Sequence, residues 1–202
     1  MSDLVLDACC LINLQAAGRI LVPGSTPQVM MTRHRSQIGP PPGGLNGLNL
    51  KLHVPDIVQK EALRIDQPDM DDPTKLVSIP LDLKSLIDQG ILHACELSSD
   101  EERDRFVRFA TELDDGESAC LAIALLRGWA LGSDDRIAAR LARSLGVTVM
   151  TTEQLVKRWA ELTKASPTDL GGVLRNIQTF GHYTPRRVSP LRGWWLKHAS
   201  VI

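Results

Sequence analysis

Two short apolar runs in this chain each end in carboxylates and pass at once into a segment with helical periodicity. The first run, residues 4–6, ends at Asp7, and the second, residues 129–133, ends at Asp134 and Asp135. Strands that alternate with helices in this way favour a parallel sheet covered by helices on both faces. At 202 residues the chain is long enough for one sizeable hydrophobic core. We therefore predict an α/β domain with both strand ends at one edge of the sheet.

This sheet edge makes Asp7 and the Asp134–Asp135 pair candidate functional residues. Ligands of open α/β sheets bind at the carboxyl ends of the strands. A carboxylate directly after a strand can also cap the next helix, and that structural role remains the alternative for each of them. Ser133, which precedes the pair, is predicted to orient it.

A third group of acids precedes the apolar run 120–126, which is typical of a buried helix. Asp114, Asp115 and Glu117 fall within four residues there. Negative side chains suit the N-terminus of a helix, so capping alone accounts for any one of them. Glu117 is the candidate functional residue, and Asp114 and Asp115 are close rivals for that role.

Glu61 is the fourth candidate. Residues 54–65 have the pattern of a helix with Pro55 in its first turn, and Glu61 falls on or beside the apolar stripe. A carboxylate in that position is costly unless it is paired, hydrogen-bonded or bound to a cation. The alternative is a charge at the edge of the stripe that extends into solvent.

Together these acids predict a metal centre. Carboxylates packed at one sheet edge repel each other and raise each other's pKa values, and a bound divalent cation removes that penalty. Oxygen ligands suit a hard ion, Mg²⁺ or Mn²⁺. Such an ion activates water and stabilises the leaving oxygen of a phosphodiester. The predicted catalytic and metal-binding residues are Asp7, Glu61, Glu117, Asp134 and Asp135.

The charge distribution adds weaker support for a phosphate-containing substrate. The net charge is only −1, but residues 54–117 carry 17 acidic and 7 basic side chains, and residues 157–198 carry 8 basic and 2 acidic ones. No GxxxxGK[ST] loop, GxGxxG turn, GxSxG elbow or HExxH motif occurs in the chain. Cys9 occupies the position where a haloacid-dehalogenase-type phosphatase has its second aspartate.

Two regions lie outside the core pattern. The Gly/Pro-rich stretch of about residues 24–53 is predicted to be an insertion, either a flexible surface loop or a basic arm that carries Arg33 and Arg35 to nucleic acid. Residues 166–202 are predicted to form a helical extension and a basic, Trp-containing tail, which docks on the domain or a partner chain or binds nucleic acid. Arg136 and Arg140 are further, weaker candidates for binding RNA phosphates.

The order of these motifs resembles that of PIN domains. Residues 4–14 are similar to the opening motif of that family, and Val54-Pro55 with Glu61 is similar to its second acidic position. Residues 115–117 resemble its third acidic position, with Glu117 in place of the more usual Asp. Residues 133–138 resemble the fourth. The resemblance covers residues 3–180 and is nearest to the VapC-like toxins of bacterial toxin–antitoxin pairs.

The resemblance implies a Rossmann-like three-layer α/β/α sandwich in residues 1–165, with a mostly parallel central sheet. It implies a Mg²⁺- or Mn²⁺-dependent endoribonuclease, often a homodimer held by a small antitoxin. Glu117 is then the metal ligand of its stretch, with Asp114 and Asp115 as supporting groups. The alternative is a catalytically degenerate PIN-like module that binds RNA or a protein partner.

We also expect a cytoplasmic protein with no membrane association. The N-terminus lacks the basic segment of a signal peptide, and no apolar run approaches the ~20 residues that span a bilayer. The four cysteines form no CxxC pair, and we predict that they are reduced, largely buried thiols.

Overall fold

The computed structural model of the protein describes residues 2–18, 48–61, 63–69, 71–72 and 74–201. The N-terminal half of this described chain contains five strands and four helices: β1 Ser2–Leu6, α1 Ala8–Ala16, β2 Leu50–Pro55, α2 Asp56–Lys60, β3 Arg64–Pro68, β4 Leu76–Pro80, α3 Leu83–Asp88, β5 His93–Cys95 and α4 Asp100–Phe109. The C-terminal half continues with α5 Asp115–Arg127, β6 Ala130–Gly132, α6 Arg136–Ser144, β7 Val149–Met150, α7 Thr152–Thr163, α8 Pro167–Phe180 and α9 Arg192–Ala199.

Five of the strands form one parallel sheet in the order β5-β2-β1-β6-β7. In the central strand β1, Leu4 lies opposite Leu52 of β2 on one side and Ala130 of β6 on the other. Leu4, Val5 and Leu6 are all completely buried, as expected for a parallel strand covered on both faces. The predicted Rossmann-like α/β/α sandwich with a parallel central sheet is therefore confirmed.

The helices form two groups that cover the sheet. Helix α5 contacts β1 and β2 and packs against α2, α4 and α6, whereas α1 packs against α7 and α8. Helix α5 is buried along most of its length because it is almost entirely apolar after its first turn. Trp159 of α7 and Trp195 of α9 are the largest fully buried side chains of the described residues.

The strand order places a topological switch point between β1 and β6. From β1 the chain moves outward to β2 and β5, and it then returns to the other side of β1 to form β6 and β7. The loops that follow β1 and β6 diverge at this point and leave a crevice at the carboxyl edge of the sheet. Asp7 and residues 133–135 begin these two loops.

The structure corrects the predicted helix over residues 54–65. Helix α2 has only five residues, and Glu61 follows it in an extended conformation, with ψ of 144°. Residues 64–68 and 76–80 instead pair as an antiparallel hairpin, β3–β4. The cross-strand hydrogen bonds of this hairpin outweigh the modest helix propensity of the β-branched residues in the segment.

The ends of the two atypical regions are also visible. Residues 50–53, at the end of the predicted insertion 24–53, belong to β2, and residues 24–47 lie outside the described residues. Helices α8 and α9 of the predicted extension 166–202 pack on the same core as the sheet, through Leu174, Ile177 and Trp195. In the described part of the chain, no helix combines the length and apolar character needed to cross a membrane.

Candidate metal centre

Asp7 occupies the turn between β1 and α1. Its backbone N–H donates to Gly132 O at 3.1 Å, which continues the pairing of β1 with β6 for one more residue. Its side chain caps α1, since Oδ1 accepts from the Cys10 N–H at 3.0 Å and from the Cys9 thiol at 2.9 Å. The structural role considered for Asp7 is therefore real, but it uses only one of the two carboxylate oxygens.

The other oxygen of Asp7 has no hydrogen-bond partner among the described residues, although it is buried. The residue is 2% exposed. Burial raises the pKa of Asp7 to about 6; the hydrogen bonds from Cys10 and Cys9 and the nearby Ser133 hydroxyl oppose this increase, and the charge of Asp134 adds to it. An unpartnered buried carboxylate oxygen is costly, because the protein does not replace the water that this atom loses on folding.

Asp134 lies across the switch point and is fixed by several donors. Thr152 donates its backbone N–H to Oδ1 at 2.8 Å and its hydroxyl to Oδ2, and Asn13 donates its amide to Oδ2 at 3.0 Å. Cys10 Sγ also lies 3.6 Å from Oδ2. Burial raises the pKa of Asp134, although the Thr152 and Asn13 hydrogen bonds oppose this increase. These contacts set the orientation of the carboxylate before any ligand binds.

Asp135 and Asp114 both cap helices. Asp135 Oδ1 accepts from the N–H groups of Ile137 and Ala138 at the start of α6. Asp114 Oδ1 accepts from the Glu117 N–H at 2.8 Å at the start of α5. The capping interpretation considered for both acids therefore holds for one oxygen of each.

Ser133, predicted to orient the carboxylate pair, is completely buried. Its Oγ accepts from the Asp135 N–H at 3.1 Å, which fixes the backbone between the two aspartates. Asp115, the other predicted supporting residue, is exposed in the first turn of α5.

Glu117 is partly buried and faces the same crevice. Its pKa is raised to about 7 by burial and by the charges of Asp114, Asp135 and Asp7. A hydrogen bond from the Asp114 backbone N–H to the Glu117 carboxylate opposes this increase only weakly. Glu117 therefore interacts with acids that follow both strands, Asp7 after β1 and Asp135 after β6.

Glu61 lies near these carboxylates, next to Gly116 in the first turn of α5. Glu61 is exposed at the rim of the crevice and does not belong to an apolar stripe. Partial desolvation at the rim and the charges of Asp114 and Asp115 raise the pKa of its carboxyl. A Cβ at Gly116 would overlap Glu61 Oε1, so the glycine is what allows the carboxylate to approach the start of α5.

These side chains line a single cleft of about 400 Å³, which we name the acidic cleft. The cleft contains all five predicted metal-binding residues and one of the three predicted supporting residues, Asp114. Its complete lining is Asp7, Ala8, Cys9, Glu61, Asp114, Gly116, Glu117, Asp134, Asp135, His182, Tyr183, Thr184 and Arg186. The structure thus brings together acids that are up to 128 positions apart in the sequence.

The carboxylates do not form a closed cage. Among the described residues, the one group of three possible ligand atoms within 4.8 Å of one another is Asp7, Cys9 and Cys10. Burial raises the pKa of the Cys10 thiol well above its usual value, which keeps this sulfur protonated at neutral pH. An open arrangement of carboxylates suits Mg²⁺, which retains several waters and takes only one or two carboxylates as direct ligands.

The predicted RNA-binding arginines lie elsewhere or outside the described residues. Arg136 and Arg140 are exposed on α6 and do not line the acidic cleft. Arg33 and Arg35 belong to the part of the chain that the structure does not describe.

The sequence interpretation missed the residues that fix the acids. Asn13 and Thr152 orient Asp134, yet neither was a candidate. Thr152 lies two residues after the end of β7, at the same edge of the sheet as Asp7, and this location is a signal that could have identified it. Asn13 is a buried amide within the apolar pattern of α1 and could have been recognised as such.

No protein-family model matches the chain, and neither a curated protein nor a solved structure matches it.

Proposed function

We propose that this protein is a ribonuclease of the PIN-domain type, which cleaves RNA with a Mg²⁺ or Mn²⁺ ion held by the acidic cleft. The observation that carries the proposal is the buried Oδ2 atom of Asp7, which lacks a partner among the described residues. It belongs to a cleft that four further candidate carboxylates line. A divalent cation is the ligand that would compensate both the buried oxygen and the mutual repulsion of the acids.

The residues divide into ligands and supports. Asp7 and Asp134 are the proposed direct ligands, because both are held rigidly at the switch point between β1 and β6. Glu61, Glu117 and Asp135 line the same cleft and would hold the ion directly or through its waters. When bound, the ion supplies Lewis acidity and positive charge for phosphodiester hydrolysis.

Glu117 is the proposed general base. Its carboxylate lines the same cleft as Asp7 and Asp134, where it would accept a proton from an attacking water. Its position at the start of α5 also places the group close to the positive end of a helix dipole, which stabilises its ionised form.

The test is cleavage of a labelled single-stranded RNA in Mn²⁺ and in EDTA. We expect metal-dependent cleavage by the wild type and loss of about 10³-fold or more in Asp7→Asn, which retains an acceptor for the Cys10 N–H. Asp82→Asn is the matched control, since Asp82 caps α3 in the same way but does not line the acidic cleft. Equal cleavage by Asp7→Asn and the wild type would overturn the proposal.

The second candidate is a degenerate PIN-like module that binds RNA or protein without cleaving it. It is favoured by the composition of the one described group of three possible ligand atoms, Asp7, Cys9 and Cys10, which contains a single carboxylate. It predicts RNA binding that is equal in Mn²⁺ and EDTA, without cleavage in either. A small antitoxin and a homodimer are the further partners that the motif resemblance predicts. Sedimentation of the purified protein tests the second of these directly.

A further inference from the structure

The segment between α8 and α9 crosses the rim of the acidic cleft. We name residues 181–189 the C-terminal strap. Its side chains alternate over five positions: His182, Thr184 and Arg186 are exposed, whereas Tyr183 is partly buried and Pro185 is buried. All three exposed side chains line the acidic cleft. The strap therefore places exposed polar side chains in the cleft and buries Pro185, and Tyr183 both lines the cleft and packs against the core.

Buried contacts hold the strap in this position. Glu153 of α7 is 7% exposed, and its carboxylate accepts from the Tyr183 hydroxyl and, at 3.0 Å, from Ser189 Oγ. The Tyr183 ring also packs edge-on against Trp195, with ring centroids 5.6 Å apart. Two anchors near both ends of the strap fix the backbone between them, so Thr184 and Arg186 have defined positions.

Further contacts fix the margins of the strap. His182 Nε2 lies 2.8 Å from Asp66 Oδ2 in the β3–β4 hairpin. The Arg192 guanidinium donates to Pro185 O, one residue before Arg186. The strap is thus attached to the hairpin on one side and to α7 and α9 on the other.

Arg186 is the only lysine or arginine among the described residues that line the acidic cleft. Its Nη2 donates to the backbone oxygen of Asp134 at 3.4 Å, a long contact that uses one of its five N–H groups. Within the described chain, no carboxylate oxygen lies within 4.0 Å of its guanidinium. The cleft therefore has a positioned cation with most of its donors free.

Thr184 adds a second donor beside it. The Thr184 hydroxyl accepts from Gln178 Nε2 at 3.5 Å, and its own hydrogen remains available to the cleft. An arginine fork next to a hydroxyl matches the oxygens of a phosphodiester, because guanidinium binds phosphate through two parallel N–H groups.

We propose that the C-terminal strap is a phosphate-binding subsite for the RNA strand, in which Arg186 and Thr184 hold a phosphodiester at the rim of the acidic cleft. The inference rests on the proposed function and extends it to a part of the chain outside the resemblance to PIN domains. A cleft lined by carboxylates repels a polyanion, so a fixed cation at its rim is what retains the RNA backbone next to the acids. The subsite binds the RNA backbone and has no base preference, because the guanidinium and the hydroxyl both contact phosphate oxygens.

The test compares Arg186→Ala with Arg187→Ala in the full chain. Arg187 is adjacent and exposed and has the same charge, but it does not line the cleft. Binding of a fluorescein-labelled 12-nucleotide RNA is followed by anisotropy in EDTA, so that it does not depend on cleavage. We expect Arg186→Ala to weaken binding about 10-fold, and Arg187→Ala to weaken it less than about 2-fold.

Two further readouts separate a phosphate contact from a general loss of structure. The salt dependence of binding, as the slope of log K against log [salt], should fall by about 0.7 in Arg186→Ala, as for one lost phosphate contact on a single strand. Mn²⁺ affinity should not fall, since the metal-binding carboxylates are unchanged and the variant removes a positive charge from their cleft. Arg186→Lys should restore part of the binding, because it keeps the charge and loses the fork.

Several results would overturn the subsite. These are equal RNA binding by the two alanine variants, no RNA binding by the wild type, or equally tight binding of a poly-glutamate peptide, which would indicate an acidic protein partner. A different result would contradict the proposed function: a wild type that binds RNA through Arg186 but does not cleave it in the presence of metal.

Discussion

Asp7 and Glu102 are almost equally buried, with 2% and 3% of their surface exposed, but their surroundings differ. The Glu102 carboxylate accepts from Arg127 Nε at 2.6 Å and Nη2 at 3.0 Å and from the Ser98 N–H at 2.6 Å. These contacts, with Arg127 first, lower the pKa of Glu102 to about 2. Asp7 has no cationic partner among the described residues, and its pKa rises to about 6, chiefly through burial.

The difference separates a structural carboxylate from a candidate functional one. Glu102 is supplied with a counter-charge and with hydrogen bonds by the fold itself, and it links α4 to the end of α5 through Arg127. Asp7 is held at one oxygen, and its second oxygen is left for a ligand that the described residues do not provide. A buried carboxylate without a counter-charge at the switch point is therefore what distinguishes Asp7 from a structural carboxylate such as Glu102.

The largest expected effect on stability is at Glu102. Glu102→Ala removes the counter-charge of Arg127, which keeps only its contacts with Glu96 O and Ser98 Oγ, and leaves the backbone N–H groups of Ser98 and Ser99 without this acceptor. We expect the free energy of unfolding to fall by about 4 kcal/mol, as for other broken buried ion pairs. Urea denaturation followed by circular dichroism measures this change. A loss below about 1 kcal/mol would remove the contrast between the two carboxylates.

Asp7→Asn should raise the free energy of unfolding, in contrast to Glu102→Ala. Without divalent metal at pH 8, we expect this variant to be about 2 kcal/mol more stable than the wild type, because a buried charge is removed. A carboxylate with a raised pKa binds its proton more tightly in the folded state. Its contribution to stability is therefore present at low pH and is lost as the pH rises through about 6. The advantage of Asp7→Asn should accordingly shrink as the pH is lowered to 5.

The pH series must be read as a difference between the two proteins. The His53 ring stacks on Trp129, and burial lowers the pKa of His53. His53 therefore makes both proteins less stable as the pH falls, which is opposite in sign to the pH dependence from Asp7. This term cancels in the comparison of Asp7→Asn with the wild type. Equal stability of the two proteins at every pH would show that Asp7 Oδ2 is not an uncompensated charge.

The smallest effect concerns Asp114, an exposed carboxylate whose role is a helix cap. Asp114→Asn keeps the acceptor for the Glu117 N–H and should change the free energy of unfolding by less than about 0.5 kcal/mol, whereas Asp114→Ala should lower it by about 1 kcal/mol. Loss of the Asp114 charge should also lower the pKa of Glu117. NMR titration of the Glu117 side chain measures this shift, and an unchanged pKa would contradict the proposed coupling of the acids.

Local sequence patterns predict the part of the site that depends on strand ends. Asp7 and Asp134 follow short apolar runs, and the parallel sheet places both at one edge whatever the detailed packing. Glu61 was placed in the correct cleft but in the wrong conformation. The β3–β4 hairpin that ends α2 early depends on pairing between residues 64–68 and 76–80, which leaves little trace in a polar sequence.

The C-terminal strap was beyond sequence analysis for a different reason. The sequence left open whether the Trp-containing tail docks on the domain or binds nucleic acid. Its position is set by contacts of Tyr183 and Ser189 with Glu153, at least 30 residues earlier, and by burial of Trp195 against the core. No local pattern encodes such pairings, so the proximity of Arg186 to Asp7 and Glu117 became visible only in the fold.

Direct measurement of Mn²⁺ binding tests the central claim, that the acidic cleft holds a divalent ion through Asp7. Free Mn²⁺ is followed by electron paramagnetic resonance at pH 7.5 with the wild type, Asp7→Asn and the capping control Asp82→Asn. We expect Mn²⁺ binding by the wild type and Asp82→Asn, and affinity weaker by about 10-fold or more in Asp7→Asn. No binding by the wild type, or equal affinity in Asp7→Asn, would contradict the claim.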